Sequence, residues 1–271
     1  MDIDQIDGEF NLDQFDGNED LLFGTLSIED WTTIENLKSS FLSLVELPDL
    51  RPPLMTNPSD LFPAFLTWTD FNNQLAMRFI HYFRQINEFE QLTLDDRVHL
   101  VKYNLLPAFP IYKCYNYKDG EFPFPSRCNE AAQQHQQMML KNGVPIQIFH
   151  SARRIIAPLV QTTEKDPALL AIIVVVLFFT PGLSLSEDEP ILTDPLAVHR
   201  IQSYYTKILW NFLINQSGEL LACRRFLQLT ILMSRIQLAA KDLRMFFWKQ
   251  CTKFNAEEQI TPLMQSVLNI S

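Results

Sequence analysis

The chain has 271 residues, 47% of them hydrophobic, with seven glycines and only 20% charged residues. That composition suits a helical protein and is enough chain for one large domain or two small ones. The net charge of −10 is local: residues 1–30 hold ten acids and no Lys or Arg, leaving 22 acids against 22 bases elsewhere. A neutral body argues against sequence-independent nucleic-acid binding. Cys114, Cys128, Cys223 and Cys251 lie far apart, which excludes a zinc module of neighbouring cysteines. They read as free thiols in a reducing compartment.

Residues 1–26 interleave acids with Ile3, Phe10, Phe15 and Phe23, a composition of flexible activation segments or of a plain solubilising tail. Order is expected from Ser27, where Ser27 and Asp30 form a capping box ahead of Trp31, Ile34, Leu37, Phe41 and Leu44 at helical spacing. Pro48, Pro52 and Pro53 should close this helix. Trp68, Phe71, Leu75, Phe79, Tyr82 and Ile86 trace a second, and Thr93 with Asp96 caps a third that meets Pro107 and Pro110, expected to kink it. The Asp-Gly turn in Tyr117–Phe124 predicts a small β-hairpin, followed by a polar connection around Gln133–Gln137.

Helices follow near Ile146–Gln161 and Ala168–Phe179. The run "ALLAIIVVVLFF" is too short for the roughly 20 residues of a bilayer span. It reads as a helix buried on all sides or as a core strand, with Asp166-Pro167 suiting a helix start. A helix apolar all round needs helices on both sides, which implies three layers. Asp194-Pro195 opens a further helix to Gly218, and from Glu219 to Phe254 no Gly or Pro interrupts a helix that can exceed thirty residues. The tail, "TPLMQSVLNIS", puts Leu263, Met264, Val267 and Leu268 on one helical face and Gln265 and Ser266 on the other. An uncharged two-turn helix at a chain end must dock to be stable.

"FEQLTLDDRVHLVKYN" (Phe89–Asn104) resembles the signature of the nuclear hormone receptor ligand-binding domain, F-x-x-L-x-x-x-D-Q-x-x-L-L-K. Phe89, Leu92, Asp96, Leu100 and Lys102 match; Arg97 replaces Gln and Val101 replaces Leu. The tail resembles the activation helix of the group that includes the pregnane X and vitamin D receptors. The resemblance covers residues 27–271 as one domain. It implies an all-α, three-layer antiparallel helical sandwich with one small β-hairpin, acting in the nucleus. Receptors of the family also carry a DNA-binding domain with two four-cysteine zinc modules. Residues 1–26 contain no cysteine, so the expectation is an excised domain or a receptor without that module, and no direct DNA contact from this chain.

The resemblance further implies an apolar cavity for a small lipophilic ligand, lined by Trp68, Phe71, Asn72 and Leu75, then Leu106 and Phe109, with Met245 and Met264. Asn72 either hydrogen-bonds a ligand or is a core amide satisfied by backbone. Asn116 lies near the Arg of some relatives, which argues against a carboxylate ligand, and a filled pocket is the alternative to an open one. A second implied site is the groove for Leu-x-x-Leu-Leu helices of coactivators or corepressors. Arg84 and Lys102 match its basic rim, and Leu263, Ser266 and Val267 its terminal-helix edge. Ser266 stands where the family has a Glu, so half of the charge clamp is missing. Read alone, Arg84 and Lys102 are solvated surface cations.

The expected function is a ligand-regulated transcription factor, with no enzyme activity, no cofactor and no membrane span, pairing with a retinoid X receptor through Leu220, Leu221, Phe226, Leu229 and Leu232. A repressor or dominant-negative partner is the alternative within the family. His81, His99, His135, His150 and His199 are scattered, and His99 is expected to be structural.

Overall fold

A computed structural model describes residues 25–46, 61–117, 146–183 and 191–270. The protein is all-α: among the described residues every regular element is a helix. The expected acidic segment before residue 25, Pro48, Pro52 and Pro53, the hairpin after Tyr117 and the glutamine-rich connection lie outside them.

The first helix, α1 (Ile28–Glu46), starts at the predicted capping box. Ser27 N donates to Asp30 Oδ2 and Asp30 N to Ser27 Oγ, both at 3.0 Å, so two of the orphan donors of a helix start are satisfied reciprocally. Ile34, Leu37, Phe41 and Leu44 are buried, while Trp31 is partly exposed and meets Phe212 edge-on at 6.3 Å. Next come α2 (Leu61–Phe83), the short α3 (Asn87–Gln91) and α4 (Leu94–Tyr115). Ile86 therefore falls outside the helix expected to contain it and serves as the N-cap of α3.

The α4 helix continues through Pro107 and Pro110 as one element. An interior proline typically costs about 3 kcal/mol. Packing of α4 against α2, α5, α6, α8 and α9 offsets that loss. The remaining helices are α5 (Ile146–Thr163), α6 (Pro167–Phe178), α7 (Pro195–Ser217), α8 (Glu219–Phe254) and α9 (Pro262–Leu268), with a 3₁₀ turn at Glu257–Gln259 before α9.

The apolar run is the helix α6, buried at every position from Ala168 to Phe178. Asp166 Oδ1 accepts from Ala168 N at 2.8 Å and from Leu169 N at 3.3 Å, with Pro167 in the first turn. Around α6 pack α1, α4 and α7, so no face is left to water. No described helix is long and apolar enough to cross a membrane.

Two polar knots tie the helices together. Asp96, buried in the first turn of α4, accepts from Thr193 N at 2.6 Å (Oδ1) and from Asp194 N at 3.2 Å (Oδ2). Asp194 then caps α7 by accepting from Ala197 N at 2.9 Å. Buried Asn104 donates through Nδ2 to Phe178 O at 2.9 Å and Thr180 O at 2.6 Å, while Gln237 Nε2 donates to Thr180 Oγ1 at 2.7 Å. His99 Nε2 donates to Pro181 O at 3.0 Å, the structural role expected of it. Gly182 completes this junction at φ +80°, and a Cβ there would lie 2.5 Å from Tyr103 Cβ, so only glycine lets α4 approach so closely.

Candidate functional site

Among the described residues, two hollows stand out. The first, about 130 Å³ between α1, α3 and α7, has walls of Asn36, Ser40, Gln85, Glu88 and Tyr205. Two of its polar groups are already paired, Tyr205 Oη donating to Glu88 Oε2 at 3.1 Å. The second, about 90 Å³, lies between α2, α4, α5 and α8 and is apolar on almost every side. An apolar hollow with few polar groups is the form expected of a site for a lipophilic ligand.

Trp68 of α2 forms one wall of the second hollow and is held by stacking on Phe247 of α8, ring centroids 4.3 Å apart. Leu106, Phe109, Pro110 and Lys113 come from α4, on the single stripe that spacings of three, four and seven residues produce. Ile155 and Ile156 of α5, with Ile236 and Leu243 of α8, close the opposite side. Of the residues expected here, Trp68, Leu106 and Phe109 are brought together. Phe71, Asn72 and Leu75 are buried in α2 outside the lining. Met264 is fully buried in α9 and also lies outside it.

Met245 is a correction. It is 39% exposed on α8 and does not line the interior, because the inward face there is carried by Arg244 and Phe247. Arg244 is buried, with its guanidinium over the Tyr103 ring at 5.3 Å and Nη2 donating to Leu183 O.

Asn72 divides between its two readings. Its Nδ2 donates to Trp68 O at 2.6 Å, while its buried Oδ1 has no hydrogen-bond partner among the described residues. An unsatisfied buried acceptor typically costs about 1–3 kcal/mol, so the amide is only half accounted for by backbone.

Burial pushes the Lys113 ammonium down to about 8. It also pushes the Cys114 thiol up to about 11, against a weaker lowering by the Thr163 hydrogen bond and the Lys165 charge. Cys251 rises to about 11 through burial and the nearby Glu257 charge. Both thiols are therefore protonated at neutral pH and unreactive.

The terminal helix α9 packs on α2, α4 and α8. Met264, Val267 and Leu268 are buried, Leu263 is half-buried, and Gln265 and Ser266 are half-buried on the other face. Gln265 Nε2 folds back to donate to Glu257 O at 2.7 Å and Ile260 O at 2.9 Å, closing the turn before the helix. Near the end of α2, Arg84 Nε pairs with Glu90 Oε1 at 3.0 Å, and Arg97 Nη1 takes Glu90 Oε2 at 2.7 Å. Arg84 is thus engaged, whereas Lys102 sits over the Tyr103 ring at 5.5 Å. Met77 and Val98 add exposed apolar surface, Met77 two turns before Arg84 and Val98 one turn before Lys102.

Lys113, Phe247 and Asn73 are not among the residues expected from the sequence. Lys113 had a visible signal, four residues after Phe109 and seven after Leu106 on one stripe. Phe247 and Asn73 act through partners on distant helices and had none. No protein-family model and no curated protein matches this chain.

Proposed function

We propose that this chain is the ligand-binding domain of a nuclear hormone receptor, folded as a three-layer antiparallel helical sandwich with one small β-hairpin. On this reading it is a ligand-regulated transcription factor of the nucleus, not an enzyme. It recruits helical coregulator peptides, pairs with a retinoid X receptor and makes no direct DNA contact. The observation that carries the reading is an uncharged terminal helix seated on α2 and α4, the helices that bear Met77, Val98 and Lys102, with Arg84 in the turn just after α2. A helix-in-groove site needs an apolar floor and charge at the ends of the bound helix, and these residues are of the required kinds. The signature residues Phe89, Leu92, Asp96 and Leu100 support it further, all being buried where α3 and α4 join the core.

Fluorescence anisotropy with a labelled Leu-x-x-Leu-Leu peptide tests the reading. Saturable binding to the full chain, lost on removing residues 261–271, is the expected result. Equal binding with and without the tail would remove the basis for it. The repressor reading is favoured by one observation, Ser266 in place of an acid. A corepressor helix bound more tightly than the coactivator peptide would select it.

A further inference from the structure

The walls of the apolar hollow carry one charge. Lys113 lines it from the last turn of α4, half-buried, opposite Ile155, Ile236 and Leu243. Among the described residues its ammonium has no hydrogen-bond or ion-pair partner. With no counter-ion among the described residues, a cation held against an apolar wall is costly, and the fall of its pKa to about 8 reflects its desolvation. Such a position gains from a bound anion more than a solvated lysine would.

The geometry narrows the anion. One cation balances one negative charge, so a carboxylate is neutralised, whereas a phosphate approaching two charges leaves one uncompensated in an apolar site. The volume narrows it further. About 90 Å³ is below the roughly 150 Å³ of an engineered apolar cavity that accepts benzene, so a rigid sterol does not fit without movement of the walls. Asn116, where the sequence argued against an acidic ligand, turns its Nδ2 back to Tyr112 O at 3.0 Å. Lys113, three residues earlier, supplies the cation instead.

We propose that this cavity takes a small lipophilic carboxylate, its hydrocarbon between Trp68, Phe109 and Leu243 and its head group on the Lys113 ammonium. The proposal rests on the receptor reading and names the ligand class of that same site.

Calorimetric titration of the full chain with butyrate to decanoate, beside the alcohols of equal length, tests it. The carboxylate is expected to bind about ten-fold or more tightly than its alcohol, the scale of a hydrogen bond to a charged group. Its affinity should stop rising with chain length once the hydrocarbon outgrows the cavity. Lys113→Met is expected to lose that preference while binding the alcohol at least as well, which shows its cavity intact. Equal affinity of carboxylate and alcohol, or a Lys113→Met variant that keeps the preference, overturns the proposal but leaves the receptor reading standing. Binding of neither also overturns it. The coregulator-peptide titration then decides the receptor reading separately.

Discussion

Thr261 Oγ1 donates to Asn73 Oδ1 at 2.8 Å, joining the residue ahead of α9 to the middle of α2 across 188 positions of chain. This is a side-chain tether between the terminal helix and the body, beside the apolar contacts of Met264, Val267 and Leu268. A neutral hydrogen bond contributes about 1 kcal/mol net, enough to shift a two-turn helix that docks largely by its apolar face. Thr261→Val should therefore speed amide exchange in residues 262–268 several-fold, leave α6 unchanged and weaken coregulator-peptide binding. Hydrogen-exchange mass spectrometry gives the answer, and unchanged tail exchange would mean the apolar contacts suffice.

Asp96 should matter more to stability than any surface acid. Its buried carboxylate receives two backbone N–H groups from the start of α7 as well as the Thr93 hydroxyl at 3.0 Å. Hydrogen bonds to a charged group are worth roughly 1.5–3 kcal/mol each. Asp96→Ala, which orphans those donors, is expected to cost about 3 kcal/mol or more in urea unfolding. A loss under 1 kcal/mol would mean that water replaces the carboxylate.

Lys113 should lower stability at neutral pH. Its folded-state pKa lies near 8, below its ordinary 10.5. Between those values the unfolded chain holds a proton that the folded one has released, so stability attributable to this residue rises with pH. The penalty is full below about pH 8 and fades towards pH 10.5. Lys113→Met should accordingly be more stable than the parent at pH 7, with the gap narrowing at pH 9 and again at pH 10. Unfolding curves at the three values check this, and a gap independent of pH would point to packing rather than charge.

What the sequence disclosed and what it hid divide by range. Ser27 with Asp30, Thr93 with Asp96, Asp166-Pro167 and Asp194-Pro195 act within a few residues, and each starts a helix as read. The burial of α6 was legible because its residues are apolar in every direction. The bonds from Asp96 to Thr193, from Asn104 to Phe178 and from Thr261 to Asn73 span the fold and leave no local pattern. Each residue turns a helix by about 100°. An offset of one or two positions on the uniform α8 therefore moved the inward role from Phe247 to Met245.

The long helix α8 was expected to offer Leu220, Leu221, Phe226, Leu229 and Leu232 to a partner, but the last two are buried and Phe226 is half-buried against Trp210. The exposed row is Leu220, Leu227, Ile231 and Leu238, at spacings of seven, four and seven, the period of a helix-pairing seam. Association with a retinoid X receptor domain at micromolar concentration is expected in sedimentation. Leu238→Arg should abolish it without lowering Tm, because Leu238 is 57% exposed in the monomer. Pairing that survives the substitution would move the interface elsewhere.

On the proposed receptor reading, Ser266 and Arg84 together set the strength of a coregulator groove. A helix docked there meets Lys102 and Arg84 at its C-terminal end, where carbonyls are unpaired, but only the Ser266 hydroxyl at its N-terminal end. Arg84 is not lost to its pair with Glu90. It is 68% exposed, and exposed ion pairs contribute about 0–1 kcal/mol. Arg97, nearer to Glu90 at 2.7 Å, keeps that acid neutralised when Arg84 swings away. The weak end is therefore Ser266, since Glu257 and Glu258 are exposed in the turn before α9. Ser266→Glu should tighten a Leu-x-x-Leu-Leu peptide several-fold, and Arg84→Ala in that background should remove most of the gain. Glu90→Ala should change little. Anisotropy titrations of the three variants decide it, and an affinity unmoved by Ser266→Glu would show that peptide binding does not use the ends of a charge clamp.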